Sequence, residues 1–211
     1  MQKDRNRAND YRQKAMEGDA RAMNNLGTCY HRGDGVVENH ATAFEWYMKA
    51  AEAGDVYAYF NVAECYWNGD GVEQNYEQSA VWYRKAAEEG DMQAQVNLAN
   101  QYFLGLGVEK DHAEANKWWT EAAFKGHTQS MINLATNYWN GDGVEKSMEE
   151  CAFWYGLAAQ NGNPHACFAI GWLYQHGMGV KEDKFLARKW IQKAVWLGHQ
   201  PAVDYLKEHK L

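Results

Sequence analysis

A glycine recurs every 36 residues along the chain, and this period constrains the fold more than any other feature of the sequence. The recurring glycines are Gly18, Gly54, Gly90, Gly126, Gly162 and Gly198. A fixed period of this length is typical of proteins that stack one small supersecondary unit many times. The predicted full units span 18–53, 54–89, 90–125, 126–161 and 162–197. The segment 1–17 is predicted to be an N-terminal capping helix, and 198–211 a C-terminal capping helix.

Each unit has the pattern of two helices, A and B, separated by a turn that contains two glycines. In the second unit helix A is predicted from Asp55 to Asn68, and Gly69 ends it in a left-handed conformation. Helix B begins after an asparagine, aspartate or serine, which are the preferred N-cap residues. Helix B also carries one tryptophan per unit: Trp46, Trp82, Trp118, Trp154 and Trp190. These tryptophans are predicted to fill the space between repeats.

The residues that the units share resemble a known family. In the first unit they are Ala22, Leu26, Gly27, Tyr30, Gly33, Gly35, Val36, Ala43, Trp46, Tyr47, Ala50, Ala51 and Gly54. This pattern is similar to the Sel1-like repeat, a relative of the tetratricopeptide repeat. The resemblance implies an all-α fold, a right-handed superhelical α-solenoid of helix-turn-helix repeats. It also implies protein–protein interaction, since the family includes adaptors and scaffolds. Some secreted relatives carry a disulfide in each repeat, and this chain lacks that cysteine pattern.

Charge and composition argue against several classes of protein. The net charge is −7, whereas nucleic-acid binding requires a basic stripe. No apolar run has the length of a membrane span, and the first ten residues contain no signal-peptide core. The four cysteines include no C-x-x-C pair, which argues against zinc or redox chemistry. We therefore expect a cytoplasmic protein with reduced structural thiols and no cofactor.

The histidines and the glycine turns do not form a catalytic or metal-binding motif. Neither H-E-x-x-H nor G-x-S-x-G occurs in the sequence, so the eight histidines are expected to be solvated surface residues. The N-G-D-G-V-E turns lack the alternating acidic ligands of a calcium loop. No enzyme activity, no catalytic residue and no metal site is predicted.

The resemblance implies that helix A lines the concave face of the solenoid. The polar candidates for binding there are an asparagine column, Asn25, Asn61, Asn97 and Asn133, interrupted by Ala169. An amide donates and accepts at once, which suits the backbone of an extended peptide. The alternative is that these asparagines cap local turns or bridge neighbouring repeats. Arg21 and Arg32 are the basic residues near this column.

A second set of candidates is aromatic and lies on the same side of helix A. Its members are Phe60, Trp67, Phe103, Trp139 and Trp172. Because other columns already fill the core, these rings are predicted to form apolar pockets, where interface energy concentrates. The alternative is packing between repeats.

Together these patterns predict a scaffold or adaptor that holds a peptide or helix of a partner protein in its concave groove. The alternative function is a bacterial immunity or effector-type protein that binds and blocks one specific partner. Self-association through the groove is a third interpretation, and a monomer or weak homo-oligomer is expected.

Overall fold

The computed structural model describes residues 2–209, which form helices and turns without any strand. The helices are α1 (Gln2–Met16), α2 (Ala20–Arg32), α3 (His40–Glu52), α4 (Val56–Asn68), α5 (Tyr76–Glu88), α6 (Met92–Leu104), α7 (His112–Phe124), α8 (Thr128–Asn140), α9 (Met148–Gln160), α10 (Pro164–His176), α11 (Lys184–Trp196) and α12 (Gln200–His209). None of the helices in this part of the chain is both long enough and apolar enough to cross a bilayer.

Two compact units divide the chain, an N-terminal unit that ends at Lys110 and a C-terminal unit that begins at Asp111. Within each unit every helix packs against the helix before it and the helix after it. We refer to α2, α4, α6, α8 and α10 as A helices and to α3, α5, α7, α9 and α11 as B helices. The stacked helix pairs confirm the predicted all-α solenoid.

The segments predicted as caps each contain one helix. Helix α1 lies within 1–17 and packs on α2, and α12 lies within 198–211 and packs on α11. Met1, Lys210 and Leu211 of these two segments lie outside the described residues.

The turn from an A helix to the next B helix needs two glycines for different reasons. Gly69 ends α4 in the left-handed conformation, with φ 73°, as predicted. Gly71 also has a positive φ, and a Cβ there would overlap the backbone carbonyl of His40 in the preceding B helix. A corresponding overlap, with α1 in the case of Gly35 and with the preceding B helix in the other cases, occurs at Gly35, Gly107, Gly143 and Gly179. This close approach fixes the turn of one repeat on the first turn of the helix before it.

The predicted N-caps hold for every B helix, but the A helices differ at two positions. Asp55 occupies the N-cap position of α4 in an extended backbone conformation, but its side chain makes no cap hydrogen bond. Instead, Oδ1 of its carboxylate lies 3.3 Å from Nη1 of Arg21. Conversely, His127 does cap α8, where its Nδ1 accepts the backbone N–H of Ser130 at 3.2 Å.

The His127 cap is expected to make α8 sensitive to acid. Burial lowers the pKa of His127 below its ordinary value of about 6.5, and only the neutral ring accepts the Ser130 N–H. The stabilisation is therefore complete above the ordinary pKa and is lost as the pH falls through the lowered folded-state pKa. We expect His127→Asp, the residue found at Asp19 and Asp91, to retain about 0.5–1 kcal/mol more stability at acid pH. Urea unfolding near pH 7 and near pH 5 measures this difference, and parallel losses in both proteins would contradict it.

The core includes many alanines, an aliphatic residue at one repeated position of each A helix, and the tryptophan column. The aliphatic residues are Leu26, Val62, Leu98, Leu134 and Ile170, and all are buried. Trp82, Trp118 and Trp154 are buried as predicted, whereas Trp46 and Trp190 in the outer repeats are only half-buried. The tryptophan column therefore fills the core most completely in the middle repeats.

The cysteines belong to this core. All four are free thiols and all are buried. Burial raises the pKa of the Cys65 thiol to about 12, so the reactive thiolate is strongly disfavoured. A structural role, as predicted, is consistent with this environment.

Candidate functional site: the pocket face of the A helices

Two pockets open on the side of the A helices that carries the predicted binding residues, one in each unit. The polar pocket of the N-terminal unit measures about 400 Å³ and is lined by Thr28, His31, Arg32, Tyr47, Phe60, Asn61, Glu64, Cys65, Asn68 and Asp70. The aromatic pocket of the C-terminal unit measures about 360 Å³ and is lined by Thr136, Trp139, Tyr155, His165, Phe168, Ala169, Trp172 and Leu173. We refer to this side of the A helices as the pocket face.

The two pockets are the same structural element with different side chains. Seven residues of each are separated by three repeat periods: Thr28 and Thr136, His31 and Trp139, Tyr47 and Tyr155, Phe60 and Phe168, Asn61 and Ala169, Glu64 and Trp172, Cys65 and Leu173. Each pocket is a recess between two successive A helices. The chemistry changes at three of the seven positions, where His31, Asn61 and Glu64 are replaced by tryptophan, alanine and tryptophan.

A tyrosine from a B helix forms the floor of each recess. The hydroxyl of Tyr47 donates to Oγ1 of Thr28 at 3.4 Å, and the hydroxyls of Tyr155 and Thr136 lie 3.3 Å apart. Burial raises the pKa of both tyrosines. The floor is therefore neutral and fixed, and differences between the recesses come from the A helices.

Glu64 is a half-buried hydrogen-bond acceptor in the wall of the polar pocket. Its Oε1 accepts a hydrogen bond from the hydroxyl of Tyr83 and another from Nδ2 of Asn97 at 3.1 Å. Burial and then the neighbouring Glu64 carboxylate raise the pKa of Tyr83. These bonds connect three successive helices of the N-terminal unit, so the wall of this pocket is held by charge-assisted contacts.

Trp139 and Trp172 form the walls of the aromatic pocket. Their ring centroids lie 5.9 Å apart in an edge-to-face arrangement, and Trp172 also stacks on His176 at 4.1 Å. Phe168 packs behind them against Tyr205, at 5.5 Å. Both tryptophans remain half-exposed, so the recess presents aromatic surface to solvent.

The asparagine column makes internal hydrogen bonds. Nδ2 of Asn61 donates to Oδ1 of Asn24 at 2.7 Å, and Asn97 bonds to Glu64 as described above. Asn133 accepts a bond from Gln129 within α8, at 3.0 Å. Asn61 and Asn97 thus bridge repeats, which is the alternative that the sequence left open. A further role in binding a partner stays a prediction.

The structure brings only some of the remaining predicted residues into a pocket. Arg32 and Phe60 line the polar pocket. Trp67 instead packs on Tyr76 at 4.8 Å, and Arg21 stacks over Tyr57 at 3.7 Å. Asn25 and Phe103 are half-buried on their A helices outside both pockets.

Sequence reasoning missed several residues of the pockets. Phe168 has the same position in the repeat as the predicted Phe60, so alignment of the columns would have found it. His31 has the position of Trp67 and Trp139, and the sequence predicted only a solvated histidine there. The side chain is 42% exposed, but it also has a partner that the sequence did not indicate. Its Nε2 lies 2.8 Å from Oδ2 of Asp70, which comes from the next repeat and is adjacent only in the folded chain.

The fold and the repeated recesses define a repeat protein built from stacked helix pairs. The Sel1 repeat model matches five successive segments, 20–55, 56–91, 93–127, 128–163 and 164–199. The chain therefore belongs to the Sel1 repeat family, as the resemblance predicted.

Two solved structures are similar to most of the chain. A protective antigen of uropathogenic Escherichia coli with an SLR fold is 35% identical, with a TM-score of 0.82, and the match covers 92% of this chain and 42% of that one. A Sel1 repeat protein from Oxalobacter formigenes is 30% identical, with a TM-score of 0.79, and the match covers 90% and 78% of the two chains. The chain thus spans less than half of the E. coli protein. Comparison with curated protein sequences gives no match.

Proposed function

We propose that this protein is an interaction scaffold that holds a segment of a partner protein against the pocket face of its A helices. Sel1 repeat proteins are generally protein-interaction scaffolds rather than enzymes. The observation that carries the proposal is the aromatic pocket, where two half-exposed tryptophans meet at 5.9 Å around a recess of about 360 Å³.

The aromatic pocket has the properties of an anchor site for an apolar side chain. Its volume lies at the small end of the range found for ligand sites. Tryptophan and tyrosine dominate the energy of protein interfaces because they bury a large area at low cost in conformational entropy. Ala169 leaves room between Trp139 and Trp172 in the aromatic pocket. At the equivalent position of the polar pocket, the larger Asn61 takes up this space. A leucine, methionine or phenylalanine of the partner fits this chemistry.

The polar pocket offers a different set of contacts in the N-terminal unit. Arg32 is exposed at its rim, and Glu64 supplies a carboxylate. Such groups favour the polar backbone and the charged side chains of a segment over apolar ones. The two units therefore select for different parts of a partner.

The double variant Trp139→Ala, Trp172→Ala tests the proposal. Immobilised wild-type chain captures partners from native lysate, mass spectrometry identifies them, and calorimetry with each purified partner gives its affinity. Loss of an anchor pocket typically costs at least about 2 kcal/mol, so we expect affinity to fall at least ~30-fold. Trp196→Ala is the matched control, because Trp196 is 82% exposed on a B helix. Circular dichroism checks that all variants remain helical.

The outcomes separate the alternatives. A partner lost with the pocket variant but retained by Trp196→Ala supports the pocket face. Equal binding by the wild type, the pocket variant and Trp196→Ala overturns the proposal. Binding that is lost in Trp196→Ala but kept in the pocket variant also overturns it. Several partners of micromolar affinity indicate an adaptor, whereas a single partner of nanomolar affinity indicates a protein that blocks one target.

A further inference from the structure

Three side chains with metal-binding atoms meet at the edge of the polar pocket. Oδ2 of Asp70 lies 2.8 Å from Nε2 of His31, and Oδ1 of Asp70 contacts Nδ1 of His40. One ligand atom of each residue lies within 4.8 Å of the other two. Within residues 2–209 this is the one group of three or more such side chains close enough to share an ion.

The fold holds these three residues on separate backbone segments. His31 lies in the last turn of α2, His40 is the first residue of α3, and Asp70 follows the end of α4. Gly71 lets the turn that carries Asp70 pack directly on the His40 carbonyl. The group is thus positioned by the stacking of two repeats and not by flexible chain.

The equivalent positions in other repeats show that stacking does not require these polar residues. One period later they are Trp67, Tyr76 and Leu106, and three periods later Trp139, Met148 and Met178. Two periods later the set combines one aromatic residue with two polar ones: Phe103, His112 and Asp142. Trp67 and Tyr76 pack as aromatic neighbours at 4.8 Å. An apolar trio is sufficient at this place, so the histidines and the aspartate call for a different explanation.

The surroundings of His40 match those of a metal ligand. Its Nε2 lies 2.9 Å from Oε1 of Glu38, so the ring donates its N–H outward to a carboxylate. Its Nδ1 is buried and faces Oδ1 of Asp70. Metal-bound histidines almost always donate the distal N–H in this way, which fixes the ring and leaves the other nitrogen for the ion.

We propose that Nε2 of His31, Nδ1 of His40 and a carboxylate oxygen of Asp70 bind a zinc ion, with water as the fourth ligand. Imidazole and carboxylate suit zinc, and three protein ligands with an open fourth position are common for it. Tetrahedral bonds of about 2.0–2.1 Å place two ligand atoms roughly 3.4 Å apart, so the Asp70 carboxylate moves slightly away from both imidazoles to admit the ion. The ion ties α2 and α3 to the turn after α4.

Calorimetric titration of the chelator-stripped chain with zinc chloride tests the site. We expect one equivalent bound by the wild type and at least ~100-fold weaker binding after His40→Tyr or Asp70→Leu. The chain itself uses these replacements at Tyr76 and Leu106, so they are suited to the stacked fold. Glu38→Gln leaves all three ligands in place and is expected to weaken binding about 10-fold. His165→Gln removes an exposed histidine elsewhere and is the matched control.

Thermal unfolding separates metal binding from a purely structural hydrogen-bond network. Zinc that binds only the folded chain raises the Tm of the wild type and of His165→Gln, and leaves the Tm of His40→Tyr unchanged. Visible absorption of the cobalt-loaded wild type reports coordination directly. Absence of zinc binding by the wild type, or equal binding by Glu38→Gln, His40→Tyr and the wild type, would overturn the proposal.

Discussion

Replacing Trp154 by alanine is expected to lower the free energy of unfolding by about 3–5 kcal/mol. The side chain is only 4% exposed and packs against Phe124 and Phe153, with ring centroids 5.4 and 5.1 Å away. Removal leaves a cavity that the neighbouring alanines are too small to fill. Urea unfolding followed by circular dichroism gives the difference.

Two further variants show whether packing is the cause. Trp196→Ala removes the same side chain from an 82% exposed site in the same unit, and we expect a change within about 0.5 kcal/mol. Trp154→Phe keeps most of the apolar volume, and the indole Nε1 of Trp154 has no hydrogen-bond partner among the described residues. Trp154→Phe should therefore lose less than half as much stability as Trp154→Ala. Equal losses in Trp154→Ala and Trp196→Ala would contradict a packing origin.

Gly179→Ala is expected to destabilise the chain by about 3 kcal/mol or more. A non-glycine residue at its φ of 68° costs roughly 1–2 kcal/mol. In addition, the new Cβ would overlap the backbone carbonyl of Met148, which belongs to a helix and cannot move aside alone. This overlap pushes α9 away from the turn that stacks on it.

Gly162→Ala isolates the conformational part of this cost. Gly162 has a φ of 82°, but a Cβ there meets no atom within 4 Å. We expect a loss of about 1–2 kcal/mol, well below that of Gly179→Ala. The same unfolding measurement compares the two variants, and similar losses would show that close stacking of the turn contributes little.

The sequence predicted the fold well because every repeat carries the same local signals. The glycine turns, the N-caps of the B helices and the tryptophan column each recur at one position, so five copies support each inference. The exceptions depend on tertiary contacts. The Asp55 side chain makes no cap hydrogen bond to α4 and instead contacts Arg21 of the preceding A helix. No local pattern at Asp55 reports that contact.

The candidate site was less predictable because its pockets join residues from two repeats. The aromatic residues Trp139 and Trp172 were found by register on one helix face, and the pocket that they share is consistent with the interpretation. The cluster of His31, His40 and Asp70 depends instead on the close approach at Gly71. Spacings of 9 and 30 residues resemble no known ligand motif, so the sequence alone offered no reason to connect them.

The two recesses are built from equivalent positions of the repeat, but they differ in the chemistry of their lining. The tyrosine of the floor, the threonine and the phenylalanine are common to both pockets, whereas three positions change from polar to apolar side chains. We therefore expect His31→Trp, Asn61→Ala and Glu64→Trp to give the N-terminal recess the apolar lining of the aromatic pocket. The period that builds the fold thus also repeats the recess, and a few side chains determine its chemistry.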